Sequence, residues 1–441
     1  MKRTALFLAV LLCLAPGLAP GQLDLAITEY TLPNGLHVVL HQDHSAPIVA
    51  QVISYHVGSK NEQPDRTGFA HFFEHLMFEG TTHIPRGKFT EIVENAGGSR
   101  NAFTDFDRTV YFISVPSNQL ELAMWMESDR MINLLVDSAG IETQRAVVKE
   151  ERKQRVDNQP YGSLLEETFS HAFSVHPYRW VPIGSAQYID QATYDEFQEF
   201  YRKYYVPDNA CLVITGDIEM NRTRELVEKY FGEIPAGTRE ITQPSSVEPP
   251  QTVEVRDTVF DNIQLPAVVM AYHMPEQGTP DSYALSMLTT LLSGGQSSRL
   301  TKRLVDNERL AVAAQTVPLN LEDPSLFVIF AVANMGKSLA NIERSVEAEI
   351  QAVQTDLMSE TEFQKIRSQM ETGYVQKAAT VLGKALELAT YHQFYGDATL
   401  INTELNRFMA VTRDDIRRVA RAYLQPTNRV VLHYVPESQT Q

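Results

Sequence analysis

The sequence is poor in cysteine, in basic charge and in long apolar runs, and each shortage removes a class of protein. Cys13 and Cys211 are its only two thiols in 441 residues. Cys13 falls in the N-terminal stretch MKRTALFLAVLLCLAPGLAPGQ, which has the layout of a secretory signal peptide: Lys2 and Arg3, an apolar run, then small residues and prolines. Cleavage near Gly21 leaves Cys211 alone, so no intramolecular disulfide can form even in an oxidising compartment, and stability rests on the core. Leu12 stands before Cys13 where a lipidated cysteine requires a small neighbour, which argues against a lipid anchor. The apolar run is too short to span a bilayer and no other stretch approaches that length, so the expectation is an exported chain, periplasmic or extracellular, with no integral membrane segment. Basic residues number 38 against 55 acidic ones, a formal charge of −17. Such a surface repels phosphate backbones, and nucleic acid is not expected as a partner.

What remains is ordinary for a globular chain, with 43% hydrophobic residues and enough length for two or more domains. The stretch PAGTREITQPSSVEPPQ, residues 235–251, is dense in Pro, Ser, Thr and Gly without apolar periodicity and reads as a linker. It separates an N-terminal domain, 22–234, from a C-terminal one, 252–441, behind the signal peptide at 1–21. A repeat relates the two. TYDEFQEFYRKYYVPDN (193–209) and TRDDIRRVARAYLQPTN (412–428) share Thr, Asp, Tyr, Pro and Asn at the same offsets, and each precedes an apolar strand. Each has a threonine N-cap, a helix and a proline stop. The fold class expected is α+β, two copies of one α/β-sandwich domain in tandem. In the first half, strands are expected on both sides of Pro33-Asn34-Gly35 and over APIVAQVISYHVGS and TVYFISVP, a short helix over GKFTEIVENAGG, and a long charged helix over residues 136–157.

The stretch HFFEH, residues 71–75, carries the chemistry. On a helix His71 and His75 lie one turn apart on one face with Glu74 beside them, a geometry that suits two nitrogen ligands and a carboxylate next to a metal-bound water. Phe72, Phe73, Leu76 and Met77 fall on the other faces, as core anchors. A third ligand is needed, and Glu150 and Glu151 on the charged helix are both candidates; neighbours point about 100° apart, so only one reaches the metal. His176, in HPYRW, reads as part of a turn, and Cys211 as an inert core thiol.

His-x-x-Glu-His is the inverted zinc motif, and the chain resembles the pitrilysin/insulinase family, in its mitochondrial processing peptidase-like branch. The resemblance runs through LPNGLHVVL, GFAHFFEHLMFEGT, NAGGSRNAFTDFDRTVYF, VVKEERKQRVDNQPYG, HPYRW and LLSGGQSSRL. It implies a zinc peptidase with one zinc per chain on His71, His75 and Glu151, and with Glu74 as general base. It implies as well that Asn101, Ala102, Phe103 and Thr104 lie on an exposed edge strand that pairs with a peptide substrate. Family members often carry a glutamate seven residues before the third ligand; this chain has Gln144.

The second half departs from the family pattern. Where an arginine and, seven residues on, a tyrosine engage the substrate carbonyl, this chain has Val305 and Val312, which donate no hydrogen bond. Arg299, Arg303 and Arg309 are near in sequence but off the motif positions. The resemblance therefore implies the zinc-bearing half of a clam-shell chamber, completed by a homologous partner subunit that lacks the zinc motif and supplies the missing pair. A homodimeric peptidase acting alone and a non-catalytic scaffold subunit are the alternatives.

Overall fold

Alternating apolar stretches of the first half assemble into a six-stranded sheet, ordered β1-β2-β6-β3-β5-β4. In this computed structural model, which describes residues 23–437, the strands are β1 (Thr28–Thr31), β2 (His37–Gln42), β3 (Ile48–Tyr55), β4 (Ser99–Thr104), β5 (Thr109–Pro116) and β6 (Ala210–Gly216). The stretch expected to be a signal peptide, residues 1–21, lies outside the described residues. Gly35 turns the β1–β2 hairpin at φ 89°, and the neighbouring Asn34 amide donates to the carbonyls of Phe231 and Ile234 at 2.8 and 2.9 Å. β6 is buried along its whole length, parallel to β2 and antiparallel to β3, which explains its unbroken apolar sequence.

The second half repeats the plan with β7 (Val255–Asp261), β8 (Ala267–Met274), β9 (Ala311–Pro318), β10 (Ser325–Ala333) and β11 (Arg429–Pro436), ordered β7-β11-β8-β10-β9. Strand for strand this is the β2-β6-β3-β5-β4 part of the first sheet, parallel and antiparallel pairings included. The sequence repeat occupies matching places. Helices Tyr194–Tyr204 and Arg413–Tyr423 both begin with a threonine capping box, at Thr193 and Thr412. The Nδ2 groups of Asn209 and Asn428 then donate to the carbonyls of Tyr204 and Tyr423, at 2.8 and 2.9 Å.

The halves exchange helices. Helix Leu164–Ala172, from the first half, packs on β8 and β11, where Phe169 and Phe173 join Val269 and Leu432, together with Leu326 of the neighbouring β10. Helix Val381–Tyr395, from the second, crosses β3 and β6, placing Ala385, Leu388 and Ala389 on Val52, Cys211 and Val213. Each sheet is thus covered by its own helices on one face and by a borrowed helix on the other. Burial pushes the Cys211 thiol up, consistent with an inert core residue.

A buried ion cluster adds a polar tie. Lys60, 2% exposed, meets Asp107 at 3.1 Å in its own half and Glu322 and Asp323 of the other half at 2.5 and 3.1 Å. Residues 235–251 carry no regular structure, yet they are pinned: the Glu248 carboxylate accepts from the N–H groups of Ser174, Val175 and His176 at 2.8–2.9 Å. The charged helix expected over residues 136–157 is α-helical over Ser138–Arg152 and widens to a π-helical turn over Lys153–Asp157.

Candidate metal and peptide-binding site

Helix Phe69–Leu76 holds His71, Glu74 and His75, and its apolar side fixes its roll. Phe72, Phe73, Leu76 and Met77 are fully buried. Phe72 and Phe73 pack on Phe197 and Phe200, with ring centroids 4.4 and 5.5 Å apart. Gly68, at φ 99°, starts the helix, and the cap comes from a distance: Glu62 accepts from the N–H groups of Gly68 and Ala70, both at 2.8 Å. Burial pushes the Glu62 carboxyl up to about 8, against the opposing pull of those N–H groups. Gly184 crosses the helix start so closely that a Cβ there would lie 2.3 Å from Gly68, which brings Val181, Pro182 and Ile183 onto the rim of the site.

On the polar face, His71 Nε2 and His75 Nε2 stand 3.3 Å apart with their rings nearly perpendicular. Helix Ser138–Arg152 delivers Glu151, whose Oε2 lies 3.5 Å from His71 Nε2 and 2.9 Å from His75 Nε2. Atoms bound at about 2.0–2.1 Å around one tetrahedral zinc sit about 3.3–3.4 Å from each other, so these separations fit a single ion. The donor set also fits, two imidazoles and a carboxylate. Glu151 Oε2 is turned to the two imidazole Nε2 atoms, while its other oxygen is taken by Arg155, which leaves Oε2 free for an ion between them. Burial, and then His75, push His71 down to about 4, so it is neutral at physiological pH, as a ligand must be. His75 beside Glu151 holds that carboxylate below its usual range, with His71 and Arg155 helping. Burial raises Glu74, opposed by the Thr104 hydroxyl and His75.

All four, His71, Glu74, His75 and Glu151, line one cleft of about 570 Å³. Asn101, Ala102, Phe103 and Thr104, on β4, line the same cleft. β4 pairs with β5 alone, from Ser99↔Ser114 to Thr104↔Thr109, so its outer edge carries no strand among the described residues. Glu150 points to solvent and accepts from Gln154 at 3.0 Å, away from the histidines. Gln144 is buried but donates to Glu79, which holds Arg86 at 2.8 Å, so it supports the helix packing and not the ligands. His176 is the buried cap of the turn Pro177–Arg179, as its sequence context suggests.

Two cleft residues escaped the motif reading. Arg155, one turn past Glu151, meets the outer Glu151 oxygen at 2.6 Å, a contact its i+4 spacing could have signalled. Arg100 lines the cleft from β4; strand alternation with Ala102 and Thr104 was the only available clue. In the second half Val305 sits in the π-helical segment Thr301–Asn307 and Val312 is exposed on β9. Arg299 is held by Glu362 and Glu349, and Arg303 by Glu308 and Glu349.

A helical His-x-x-Glu-His face, a distant glutamate and a free strand edge on a duplicated α/β sandwich define an inverted-motif metallopeptidase architecture. Residues 37–179 match the family model described as Insulinase (Peptidase family M16), and residues 191–370 the one described as Peptidase M16 inactive domain. The chain belongs to this insulinase family, M16. It is 30% identical over 412 residues to the zinc protease PqqE of Helicobacter pylori, covering 92% of each chain. To a probable mitochondrial-processing peptidase subunit beta of Arabidopsis thaliana it is 25% identical over 405 residues, covering 89% of this chain and 75% of the other. A crystal structure of a protease from Helicobacter pylori superimposes with a TM-score of 0.89 at 30% identity, over 93% of this chain and all of that one. The periplasmic protease PqqL from Escherichia coli matches in fold, with a TM-score of 0.76 at 19% identity, and this chain spans 48% of its length.

Proposed function

We propose that this chain is an exported zinc-dependent endopeptidase that cleaves peptides or unfolded segments, with His71, His75 and Glu151 as ligands and Glu74 as general base. The observation that carries the reading is the convergence of the three ligand atoms within 2.9–3.5 Å of each other, in the cleft that Glu74 and the open edge of β4 share. A zinc ion held there would act as a Lewis acid, acidifying a water and polarising the scissile carbonyl. Glu74, which shares the cleft with the three ligands, would take the proton of such a water and return it to the leaving amine. Asn101 to Thr104 hold the peptide backbone by strand addition, which orients the bond while carrying little sequence information.

Among the described residues, none that lines the cleft comes from the second half, so no donor for a developing oxyanion lines it from there. Val305 and Val312 offer none, and Arg299 and Arg303 are committed to glutamates. A homologous partner chain, closing the clam-shell, provides the missing arginine and tyrosine. The relative from Arabidopsis thaliana is itself named as a subunit.

Glu74→Gln tests the chemistry: the variant should keep its zinc and lose at least about 100-fold in turnover. Near wild-type turnover would remove Glu74 from the mechanism. In the same assay the wild-type chain should gain activity when the partner is added; a partner-free chain whose rate the addition does not raise would refute the heterodimer.

A further inference from the structure

We infer that Arg100 selects substrates bearing an aspartate or glutamate on the leaving-group side of the scissile bond. The inference rests on the peptidase reading above and adds a substrate class to it.

Side chains alternate along β4, so Arg100, Ala102 and Thr104 share one face. Ala102 packs into the core that contains the motif helix, and Thr104 stands beside Glu74. Arg100 lies over Phe78, just beyond the end of that helix, with Cζ 4.0 Å from the ring centroid. Helix and strand therefore run in opposite directions, with the ligand cluster nearer Thr104 and the guanidinium nearer Ser99. At about 3.3 Å per residue, Arg100 and Thr104 are about 13 Å apart along the strand.

The guanidinium is held but not neutralised. Nε donates to the Thr90 hydroxyl at 3.0 Å, and Nη2 shares that oxygen. Among the described residues no carboxylate comes within ion-pair distance of it, whereas Arg155 across the cleft is already engaged by Glu151. Burial and then Arg130 lower its pKa, with Glu94 opposing weakly, which marks a cation lacking a counter-charge. Stacking on Phe78 requires only a flat or long side chain; a half-buried, unpaired fork of donors is what a carboxylate ligand needs. A peptide laid antiparallel along the open edge of β4 places its residues C-terminal to the scissile bond toward Ser99. Its side chains alternate with the same period, so one of those residues faces Arg100.

The test uses the zinc-loaded chain and short phosphinic peptides, whose phosphinate replaces the scissile carbonyl and fixes the register on the metal. Glu or Gln is placed in turn at each position after the phosphinate. At one position the Glu peptide should bind about tenfold more tightly than its Gln counterpart, the size of one charge-assisted hydrogen bond, and added salt should shrink that advantage. Arg100→Gln should abolish the preference for Glu over Gln while the variant keeps its zinc, and Arg100→Glu should favour Lys at that position. A Glu advantage absent from every position, or persisting in Arg100→Gln, overturns the inference while leaving the peptidase reading intact. Failure of the wild-type chain to bind any of the peptides overturns both.

Discussion

Replacing Lys60 with methionine should separate the two halves of the molecule energetically while leaving the apolar core in place. The Lys60 ammonium is 2% exposed and Asp107 is 1% exposed. Their 3.1 Å contact is flanked by Glu322 at 2.5 Å and Asp323 at 3.1 Å. Burial disfavours the ammonium, but Asp107, Glu322 and Asp323 more than offset it and hold its pKa above the usual lysine range. Asp107 also accepts from the Tyr178 hydroxyl at 2.6 Å and from the Glu322 N–H at 3.0 Å, so it cannot swing out to water when its cation is lost. Breaking a buried pair from one side costs about 3–5 kcal/mol, because the remaining charge stays uncompensated. The methionine side chain fills a similar volume, so the loss would be electrostatic and not a cavity. Urea unfolding followed by far-UV circular dichroism should show a lower midpoint, with the wild-type transition splitting as the halves come apart. Adding Asp107→Asn removes the orphaned charge and should recover a large part of the loss. A Lys60→Met protein within about 0.5 kcal/mol of wild type, or a double variant weaker than the sum of the singles, would refute the reasoning. Asp107 lies in the β4–β5 turn, so peptidase activity should fall further than zinc content does.

Two further outcomes are expected. His75→Ala should lose most of its zinc in competition with a chelator, and full occupancy in that variant would sink the ligand assignment. Glu62 has a pKa of about 8 in the folded chain against an ordinary 4.5, so between those values the folded state keeps a proton that the unfolded chain has released. Its contribution makes stability fall as pH rises from about 4.5 to 8. Melting curves of wild type and Glu62→Gln across that range should show a shallower fall in the variant; equal slopes would show that Glu62 does not titrate there.

The features legible in the sequence are those whose spacing is set by one element. His71 and His75 share a helical face because 3.6 residues make a turn, and Phe72, Phe73 and Leu76 had to be core for the same reason. The 193–209 and 412–428 repeat was readable because a threonine cap, a helix and a proline stop form a local unit, and the strand order around it is duplicated in turn. Family resemblance pointed to β4 as an edge, which no periodicity within residues 99–104 could reveal, since an edge is defined by a strand that is missing. Tertiary structure decided the rest. Residue types left Glu150 and Glu151 equivalent; the roll of helix Ser138–Arg152 turned one toward the imidazoles and the other to water. An apolar stripe does not say which sheet it will cover, so the exchange of helices Leu164–Ala172 and Val381–Tyr395 between halves was invisible. Lys60 in the sequence is one more lysine; only the closure of two halves around it removes water and brings three distant carboxylates to its ammonium. Local patterns are fixed by the rise and twist of the backbone, whereas pairings across hundreds of residues are selected by the free energy of the whole core, and sequence order holds no direct trace of them.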